Sequence, residues 1–228
     1  MPGRDIPLVK GEIYHILNRG VGGQPIFNNK RDYQRLLGTI IYYQNKNPPL
    51  RFSKFLTLPA QERERLFAGV KKEKSIFVEI FGYCLMPNHF HLLLRQTKDA
   101  GIAKFAAQFE NSYTRYFNIK NKRQGHLFQG KFKAKRIETE EQFMHVLRYI
   151  HLNPYSGYVV KKIEEIFTYP YSSITEYLNQ ESRIINKDFI SGSFKSAESF
   201  RKFTSSQADY QRKLEVIKHL ILENPEHL

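Results

Sequence analysis

The chain has 228 residues, 41% of them hydrophobic, so it is long enough to bury the core of one domain without disulfides or a structural metal. Its single cysteine, Cys84, excludes an intrachain disulfide and a zinc site built from several cysteines. Charge is the most informative bulk property, because 36 Lys and Arg against 22 Asp and Glu give a net charge of +14, which favours an anionic partner.

Nothing in the sequence indicates insertion into a membrane or export. No stretch stays apolar for the roughly 18 residues that a membrane-spanning helix requires, and the first residues lack the apolar core of a signal peptide. We therefore expect a cytoplasmic protein with no membrane partner.

The first third of the sequence predicts a strand, a helix and an insertion. Residues 11–18 alternate well enough for a strand, and a glycine-rich stretch follows them. Residues 29–45 carry apolar side chains at helical spacing. Residues 47–74 are predicted to be an insertion, because a connector with two prolines leads into a short, highly charged helix.

The middle of the sequence predicts a hairpin, a helix and a short strand. Two runs rich in β-branched, aromatic and leucine residues lie within residues 75–97 and are separated by Pro87-Asn88. Helical periodicity returns over residues 102–120. Residues 131–137 predict another short strand.

The last predicted helix of the domain begins after Thr139-Glu140-Glu141-Gln142, which has the form of a capping box, and is expected to end at Asn153-Pro154. The resulting order of elements is that of the ferredoxin-like split βαβ fold. We therefore predict an α+β domain over residues 1–180, with an antiparallel sheet and helices on one face. Residues 181–228 are predicted to be a C-terminal helical extension, with an amphipathic helix from about Ser206 to Glu223.

One segment concentrates the positive charge. Residues 120–136 contain seven Lys or Arg and no acid, with two phenylalanines between them. Because cations bind phosphates and aromatic faces stack on unpaired bases, this segment predicts nucleic-acid binding, while the alternative is the solvated surface of an ordinary enzyme. The predicted DNA-binding residues are Lys120, Lys122, Arg123, Lys131, Lys133, Lys135 and Arg136.

The stretch MPNHFHLLL, residues 86–94, places two histidines at the start of an apolar strand. Side chains two residues apart in a strand point to the same face, so His89 and His91 project together and can bind one divalent cation. The alternative is a strand that merely tolerates two imidazoles. A lone His-x-His pattern does not decide between these readings.

The predicted last helix contains Tyr149 and Asn153, four residues apart and therefore neighbours on one helical face. A helix packed on the sheet can bring the phenol and the amide oxygen close to the two histidines. The alternative is that Tyr149 anchors the helix to the core and that Asn153 only ends the helix before proline.

Four motifs occur together in a fixed order: HILNRG (15–20), GYCLMPNHFHLLL (82–94), GHLFQGKFKAKRI (125–137) and RYIHLNPYSGYV (148–159). In this combination the chain resembles the REP-associated and insertion-sequence single-tyrosine transposases of the HUH nuclease superfamily. The resemblance covers about the first 180 residues, and the stretch PYSSITEYL (170–178) is similar to the family's segment after the catalytic helix.

The resemblance implies an activity and a set of site residues. Tyr149 corresponds to the nucleophile, which cuts single-stranded DNA, stays linked to the 5′ phosphate and allows strand transfer. His89, His91 and Asn153 correspond to the ligands of a divalent cation, Mg²⁺ or Mn²⁺. The implied partner is single-stranded or hairpin DNA, and both a homodimer and a monomer are consistent with the superfamily.

Several alternatives stay open at this point. Tyr113 and Tyr116, beside the basic segment, are rival nucleophiles. The proton acceptor is not assigned, and its candidates include a metal-bound water and His145, one turn before Tyr149. A non-catalytic nucleic-acid-binding or regulatory protein derived from such a transposase is the main alternative function. A small-molecule metalloenzyme, such as a β-barrel oxygenase with a His-x-His site, is disfavoured by the helix-rich pattern and the charge of +14.

Overall fold

A computed structural model of the chain describes residues 7–72, 75–179, 182, 184–190 and 192–214. The strands are β1 (Ile13–Arg19), β2 (Val78–Met86), β3 (His89–Gln96) and β4 (Lys133–Ile137). The α-helices are α1 (Lys30–Tyr43), α2 (Phe52–Phe55), α3 (Ala60–Lys72), α4 (Gly101–Lys120), α5 (Glu140–Ser156), α6 (Ile174–Leu178) and α7 (Ala197–Ser205). Short 3₁₀ helices cover Val21–Gly23, Ile163–Thr168 and Asp188–Ile190.

The four strands form one sheet in the order β2-β3-β1-β4, and every pair of neighbours is antiparallel. Strands β1 and β2 therefore run in the same direction on either side of β3, which is the split βαβ arrangement. The predicted α+β fold class is confirmed.

Helices cover both faces of the sheet. α1 and α4 pack on the face that carries Tyr14, Ile16 and Phe90. α5 packs on the opposite face, where Phe81 and Leu93 lie. α1 connects β1 to β2 and α4 connects β3 to β4, and both crossovers have the same handedness, so the two helices lie on one face as predicted. The prediction of helices on one face is wrong for α5. The reason is that β2 and β3 are almost continuously apolar, so both of their faces must be buried.

The helix boundaries agree with the sequence at the start of α1 and α5 and differ at the end of α5. Asn29 and Thr139 cap the two helices, each accepting a hydrogen bond from a backbone N–H three residues later. α5 continues through Pro154 to Ser156, because the proline removes only one hydrogen bond and the N–H of Gly157 closes the last turn on the carbonyl of Asn153 at 2.8 Å. In the described ranges, no helix has the length and apolar character to cross a bilayer.

The predicted insertion forms α2 and α3. Its aromatic residues Phe52 and Phe55 are buried against Tyr42 of α1, with ring centroids 5.2 and 4.8 Å from the Tyr42 ring. The insertion therefore extends the side of the molecule that α1 and α4 form.

The C-terminal segment packs against α5. α7 is followed by a helical stretch over 208–214, which agrees with part of the predicted amphipathic helix, whereas residues 215–223 of that prediction lie outside the described residues. Gln211 donates a hydrogen bond of 3.1 Å to the carbonyl of Tyr149, and the guanidinium of Arg212 lies 3.6 Å from the centre of the Tyr155 ring. These contacts hold the helix that carries Tyr149.

His151 makes the stability of the fold depend on pH. This residue of α5 is completely buried, with Nε2 2.8 Å from Ser173 Oγ and its ring edge-on to those of Tyr177 and Phe200, and burial lowers its pKa to about 3. The unfolded chain binds this proton more readily than the folded one, so stability falls as the pH drops below about 6.5. We expect His151 alone to cost about 2 kcal/mol of unfolding free energy between about pH 8 and about pH 5.

Urea unfolding at the two pH values measures this effect. His151→Gln keeps a hydrogen-bonding group but cannot be protonated, so it should show a pH dependence that is weaker by that amount. The matched control is His145→Gln, at an exposed position of the same helix, which should retain the wild-type dependence. An unchanged pH dependence in His151→Gln would contradict the assignment.

Candidate active site

The two predicted metal-binding histidines lie on the face of the sheet that α5 covers. His91 of β3 pairs with Leu17 of β1, and His15 of β1 pairs with Leu93 of β3. Because directly paired residues and residues two apart share a face, His15, His89 and His91 all project to the same side. The sheet register therefore brings together three histidines, not two.

Both imidazoles of the predicted pair are held by hydrogen bonds at Nδ1. His91 Nδ1 lies 2.9 Å from His15 Nε2, and His89 Nδ1 lies 2.6 Å from Asn88 Oδ1. Asn88 is itself fixed, since its amide donates to the carbonyl of Gly23 at 3.1 Å. The two rings of the pair are 4.9 Å apart and perpendicular. Metal-binding histidines usually donate from one ring nitrogen and ligate through the other, so Nε2 is the atom of each ring that a cation would use.

The protonation state of His15 allows it to accept the hydrogen bond from His91. Burial and the positive charge of Lys135 lower the pKa of His15 to about 4, so the ring is neutral near pH 7. A neutral ring with its proton on Nδ1 accepts at Nε2 the hydrogen that His91 carries on Nδ1. In that tautomer His91 Nε2 carries a lone pair.

Tyr149 lies next to the histidines. Its ring centroid is 5.6 Å from that of His91 and 6.0 Å from that of His15, edge-on in both cases. α5 is placed there by Leu147 and Ile150, which are completely buried against the sheet, while Tyr149 is partly exposed at the border of that apolar stripe. The structure thus places the ring of Tyr149 beside His91, one of the predicted metal ligands, and beside His15.

Asn153 lies one turn further along α5 and is buried. Its amide nitrogen donates a hydrogen bond of 2.7 Å to the carbonyl of Tyr149, which leaves the amide oxygen as the atom that can face a cation. Asn153 does not end the helix, as α5 continues to Ser156. Across the parts of the chain that the structure describes, no group of three or more His, Cys, Asp or Glu is arranged to hold a metal. Two imidazole nitrogens and one amide oxygen would fit a divalent transition-metal cation such as Mn²⁺, and Mg²⁺ less well, because Mg²⁺ prefers oxygen ligands.

The basic segment is divided between the active-site face and internal contacts. Lys133 and Lys135 of β4 are exposed and pair with Leu17 and His15 of β1, so they lie on the active-site face. Lys122 and Lys131 are exposed on the connection between α4 and β4. These four lysines are accessible to a DNA backbone.

The other three predicted DNA-binding residues have partners within the chain. Lys120 forms an ion pair of 2.5 Å with the buried Asp32. Arg136 forms one of 2.9 Å with Glu12. Arg123 donates to the Asn118 side chain at 3.2 Å and to the carbonyl of His126 at 3.5 Å. Their position in a basic run did not reveal these contacts.

The rival tyrosines lie on the opposite face of the sheet. Tyr113 is completely buried and donates a hydrogen bond to the carbonyl of Ile26, and burial raises its pKa. Tyr116 donates to Asp32 at 2.8 Å, and burial together with that hydrogen bond raises its pKa to about 12. Both belong to α4, so neither lies beside the histidine pair. His145, the possible proton acceptor, is exposed one turn before Tyr149.

Sequence reasoning assigned no role to His15 or Asn88, the two residues that orient the histidine pair. A signal for His15 was present, since it belongs to the HILNRG motif and to the alternating first strand. The His-x-His oxygenase alternative requires a β-barrel, whereas this sheet is open and has four strands.

Comparison with known proteins agrees with this geometry. Residues 55–153 match the family model described as IS200-like transposase, a range that contains the histidine pair, Tyr149 and Asn153. No curated protein sequence matches the chain. Among solved structures, a REP-associated tyrosine transposase bound to a REP hairpin has a similar fold, with a TM-score of 0.52 and 15% identity over 82% of this chain and 96% of that chain. At this identity the structural likeness shows the fold, and the family-model match over residues 55–153 agrees with the resemblance that the motifs indicated.

Proposed function

We propose, from the premise that residues 55–153 form an IS200-like transposase region, that the protein cuts single-stranded DNA and transfers the cut strand through a phosphotyrosine intermediate. The observation that carries this proposal is the Tyr149 ring 5.6 Å from His91, on the face where His89 and His91 project together. Tyr149 is the proposed nucleophile, and His89, His91 and Asn153 are the proposed ligands of Mg²⁺ or Mn²⁺.

The proposed reaction is a transesterification at phosphorus. The Tyr149 hydroxyl gives up its proton to a water molecule or to His145, and its oxygen forms a bond to the phosphorus of a phosphodiester. The bond from phosphorus to the 3′ oxygen breaks, and that oxygen takes up a proton from solvent, so that overall one proton leaves the phenol and one is gained by the 3′ oxygen. The products are a 5′-phosphotyrosine and a free 3′ hydroxyl. Because no bond energy is lost to water, a 3′ hydroxyl from another strand can reverse the step and join new ends.

The residues around Tyr149 have separate roles in this proposal. When bound, a divalent cation supplies positive charge to the phosphate oxygens, which gain negative charge as the phosphorus is attacked. His15 and Asn88 keep the imidazoles of His91 and His89 in the ligating orientation. Gln211 fixes the backbone of Tyr149 through its carbonyl.

Lys133 and Lys135 are proposed to hold the phosphates of the strand that enters the site. Both are exposed on the face that carries the histidines, and both lie on β4, next to the strand of His15. Binding through such cations releases counterions from DNA, so affinity should fall steeply as salt rises.

The proposal is tested by a covalent-adduct assay. The protein is incubated with labelled single strands and hairpins from the DNA flanking its own gene, with Mn²⁺ or Mg²⁺, and then denatured and separated by electrophoresis. A labelled band at the mass of protein plus DNA supports the proposal. Binding without any adduct, whichever metal is used, would instead support a non-catalytic DNA-binding protein.

The hydrogen bond between His15 and His91 predicts an effect on metal affinity that does not depend on cleavage. His15→Phe removes the acceptor for His91 and should weaken Mn²⁺ binding by about 10- to 100-fold, as replacing a residue that orients a metal ligand usually does. Isothermal titration calorimetry measures the affinity. His15→Gln, which keeps an acceptor, should recover part of it, and the exposed His126→Phe should leave it unchanged. Equal affinities in His15→Phe and wild type would rule out this positioning role.

A further inference from the structure

Arg19 is a cationic residue of the active-site face that has no part in the reaction described above. It is the last residue of β1 and pairs directly with His89 of β3. Residues paired in this way project to the same side of the sheet, and their Cβ atoms lie about 5 Å apart. The Arg19 side chain therefore begins beside one of the proposed metal ligands, on the face that α5 covers.

Arg19 begins closer to the histidine pair than the exposed lysines of β4 do. Lys133 and Lys135 belong to β4, and β1 lies between β4 and β3 in the sheet. Since neighbouring strands are about 4.8 Å apart, these lysines begin two strand spacings from the histidine pair, whereas Arg19 begins one spacing away. Of these three cations, Arg19 is thus the one best placed for a phosphate that binds at the histidines.

Hydrogen bonds hold Arg19 both along its backbone and at its side chain. Its N–H donates to Asn18 Oδ1 at 2.9 Å, and its carbonyl accepts from the N–H of Gln129 at 2.8 Å. The Arg19 Nε donates to Gln129 Oε1 at 2.7 Å. Gln129 thereby restrains the guanidinium before DNA binds, which reduces the conformational freedom that is lost on binding.

The terminal nitrogens of the Arg19 side chain are available to a ligand. The residue is exposed, and within the described ranges Nη1 and Nη2 have no hydrogen-bond partner in the chain and the guanidinium forms no ion pair. An arginine stays charged in proteins and presents N–H groups in a fixed plane that matches the oxygens of a phosphate. The restrained guanidinium therefore suits a phosphate oxygen.

We propose that Arg19 is a further catalytic residue, which donates hydrogen bonds to a non-bridging oxygen of the phosphate that Tyr149 attacks, and that Gln129 is its positioning residue. This assignment rests on the proposed function, because it concerns the same phosphate. Arg19 keeps its protons throughout and forms no covalent bond. Its charge adds to that of the cation, at the other non-bridging oxygen, as both oxygens become more negative in the transition state.

The first test separates the rate of the reaction from DNA affinity. At saturating single-stranded DNA and Mn²⁺, Arg19→Ala should form the adduct about 10²-fold more slowly or worse, as removing a donor to transition-state charge usually does. The salt slope of binding, measured by fluorescence anisotropy in the Tyr149→Phe background, should fall by only about one, because a single phosphate contact is lost. Arg19→Lys should recover part of the rate, since an ammonium lacks the planar fork. A wild-type rate in Arg19→Ala overturns the assignment.

The matched control is Arg65→Ala, which removes an exposed arginine from α3 and should react at the wild-type rate. Calorimetry of Mn²⁺ binding then checks whether Arg19 acts through the neighbouring His89. The Mn²⁺ affinity of Arg19→Ala should stay within about threefold of the wild type, a small change beside the loss expected when a metal ligand is disturbed. A loss of Mn²⁺ affinity as large as the loss of rate overturns the direct contact with phosphate. Thermal melting monitors the fold, and Arg19→Gln replaces the alanine variant if that variant unfolds.

The second test identifies the phosphate that Arg19 contacts. A methylphosphonate replaces one non-bridging oxygen by a neutral methyl group, and its two diastereomers replace the two oxygens separately. At the cleavage position, the diastereomer that removes the oxygen facing Arg19 should bring the wild type and Arg19→Ala within about threefold of each other in rate, because the arginine has lost its partner. At the phosphates on either side, the substitution should leave the full difference. A full difference with both diastereomers at the cleavage position overturns the contact with the reacting phosphate.

The role of Gln129 is tested by a double-mutant cycle. Gln129→Met removes the acceptor of the Arg19 Nε and keeps the length of the side chain, so it should slow adduct formation less than Arg19→Ala does. Combining the two changes should slow the reaction no further than Arg19→Ala alone, because Gln129 acts through Arg19. Additive losses of rate would overturn the positioning role of Gln129.

The wild-type reaction separates failure of this assignment from failure of the proposed function. A wild-type adduct together with an undiminished rate in Arg19→Ala rejects the role of Arg19 alone. The absence of any adduct in the wild type rejects the proposed function, and the role of Arg19 with it.

Discussion

Replacing Tyr149 with phenylalanine is expected to abolish the covalent protein–DNA adduct, with a loss of more than about 10³-fold, as is usual when a covalent nucleophile is removed. The change deletes one oxygen and leaves the ring that lies edge-on to His91 and His15. DNA affinity should therefore stay within about twofold of the wild type, since a phenol oxygen is not a phosphate-binding cation. Electrophoresis of the denatured reaction measures the adduct, and anisotropy measures the binding.

The matched control is Tyr155→Phe on the same helix. Tyr155 donates a hydrogen bond of 3.1 Å to Asp209 and packs under Arg212, so this variant removes a tyrosine hydroxyl from α5 away from the histidines. It should form the adduct at nearly the wild-type level. Adduct formation by Tyr149→Phe would show that another residue is the nucleophile.

Replacing His91 with alanine is expected to produce the second large loss of activity. The change removes one proposed metal ligand and also the hydrogen bond that joins His15 to the site. A bound cation stabilises the charge that develops on the reacting phosphate in the transition state by several kcal/mol. The rate of adduct formation should therefore fall by at least about 10²-fold in His91→Ala, and EDTA should lower the wild-type rate to a similar level. The rate is measured over a range of Mn²⁺ concentrations.

Binding of DNA should survive His91→Ala, because Lys133 and Lys135 remain in place. His126→Ala is the control, as His126 is an exposed histidine on the connection between α4 and β4. A wild-type rate in His91→Ala, or a wild-type adduct that forms in excess EDTA, would show that the histidine pair does not hold the catalytic cation.

The fold and the centre of the site were accessible from the sequence for definite reasons. The order of strands and helices specified the split βαβ arrangement, and the two-residue period of a strand placed His89 and His91 on one face. The packing of α5 through Leu147 and Ile150 then brought Tyr149 to that face. These features follow from local periodicity. The motifs then favoured a site containing His89, His91 and Tyr149 over a purely structural role for these residues.

What the sequence did not reveal depends on contacts between distant residues. Lys120 and Arg136 belong to an acid-free run, yet their partners Asp32 and Glu12 lie 88 and 124 positions away. His15 meets His91 across 76 positions, through a strand register that periodicity alone does not give.

The prediction of helices on one face fails for α5 for another reason. The nearly continuous apolar character of β2 and β3 is typical of strands buried on both sides, and the order of elements alone does not indicate this. The unbroken run GYCLM in β2, followed by HLLL in β3, was the available signal.

The central claim, that Tyr149 is the residue that becomes joined to DNA beside the histidine pair, is tested most directly by locating the adduct. Peptide mapping by mass spectrometry, after nuclease and protease digestion of the covalent complex, identifies the modified residue. The account predicts a nucleotide attached through its 5′ phosphate to the Tyr149 side chain. A nucleotide attached to Tyr113, Tyr116 or any other residue would contradict it.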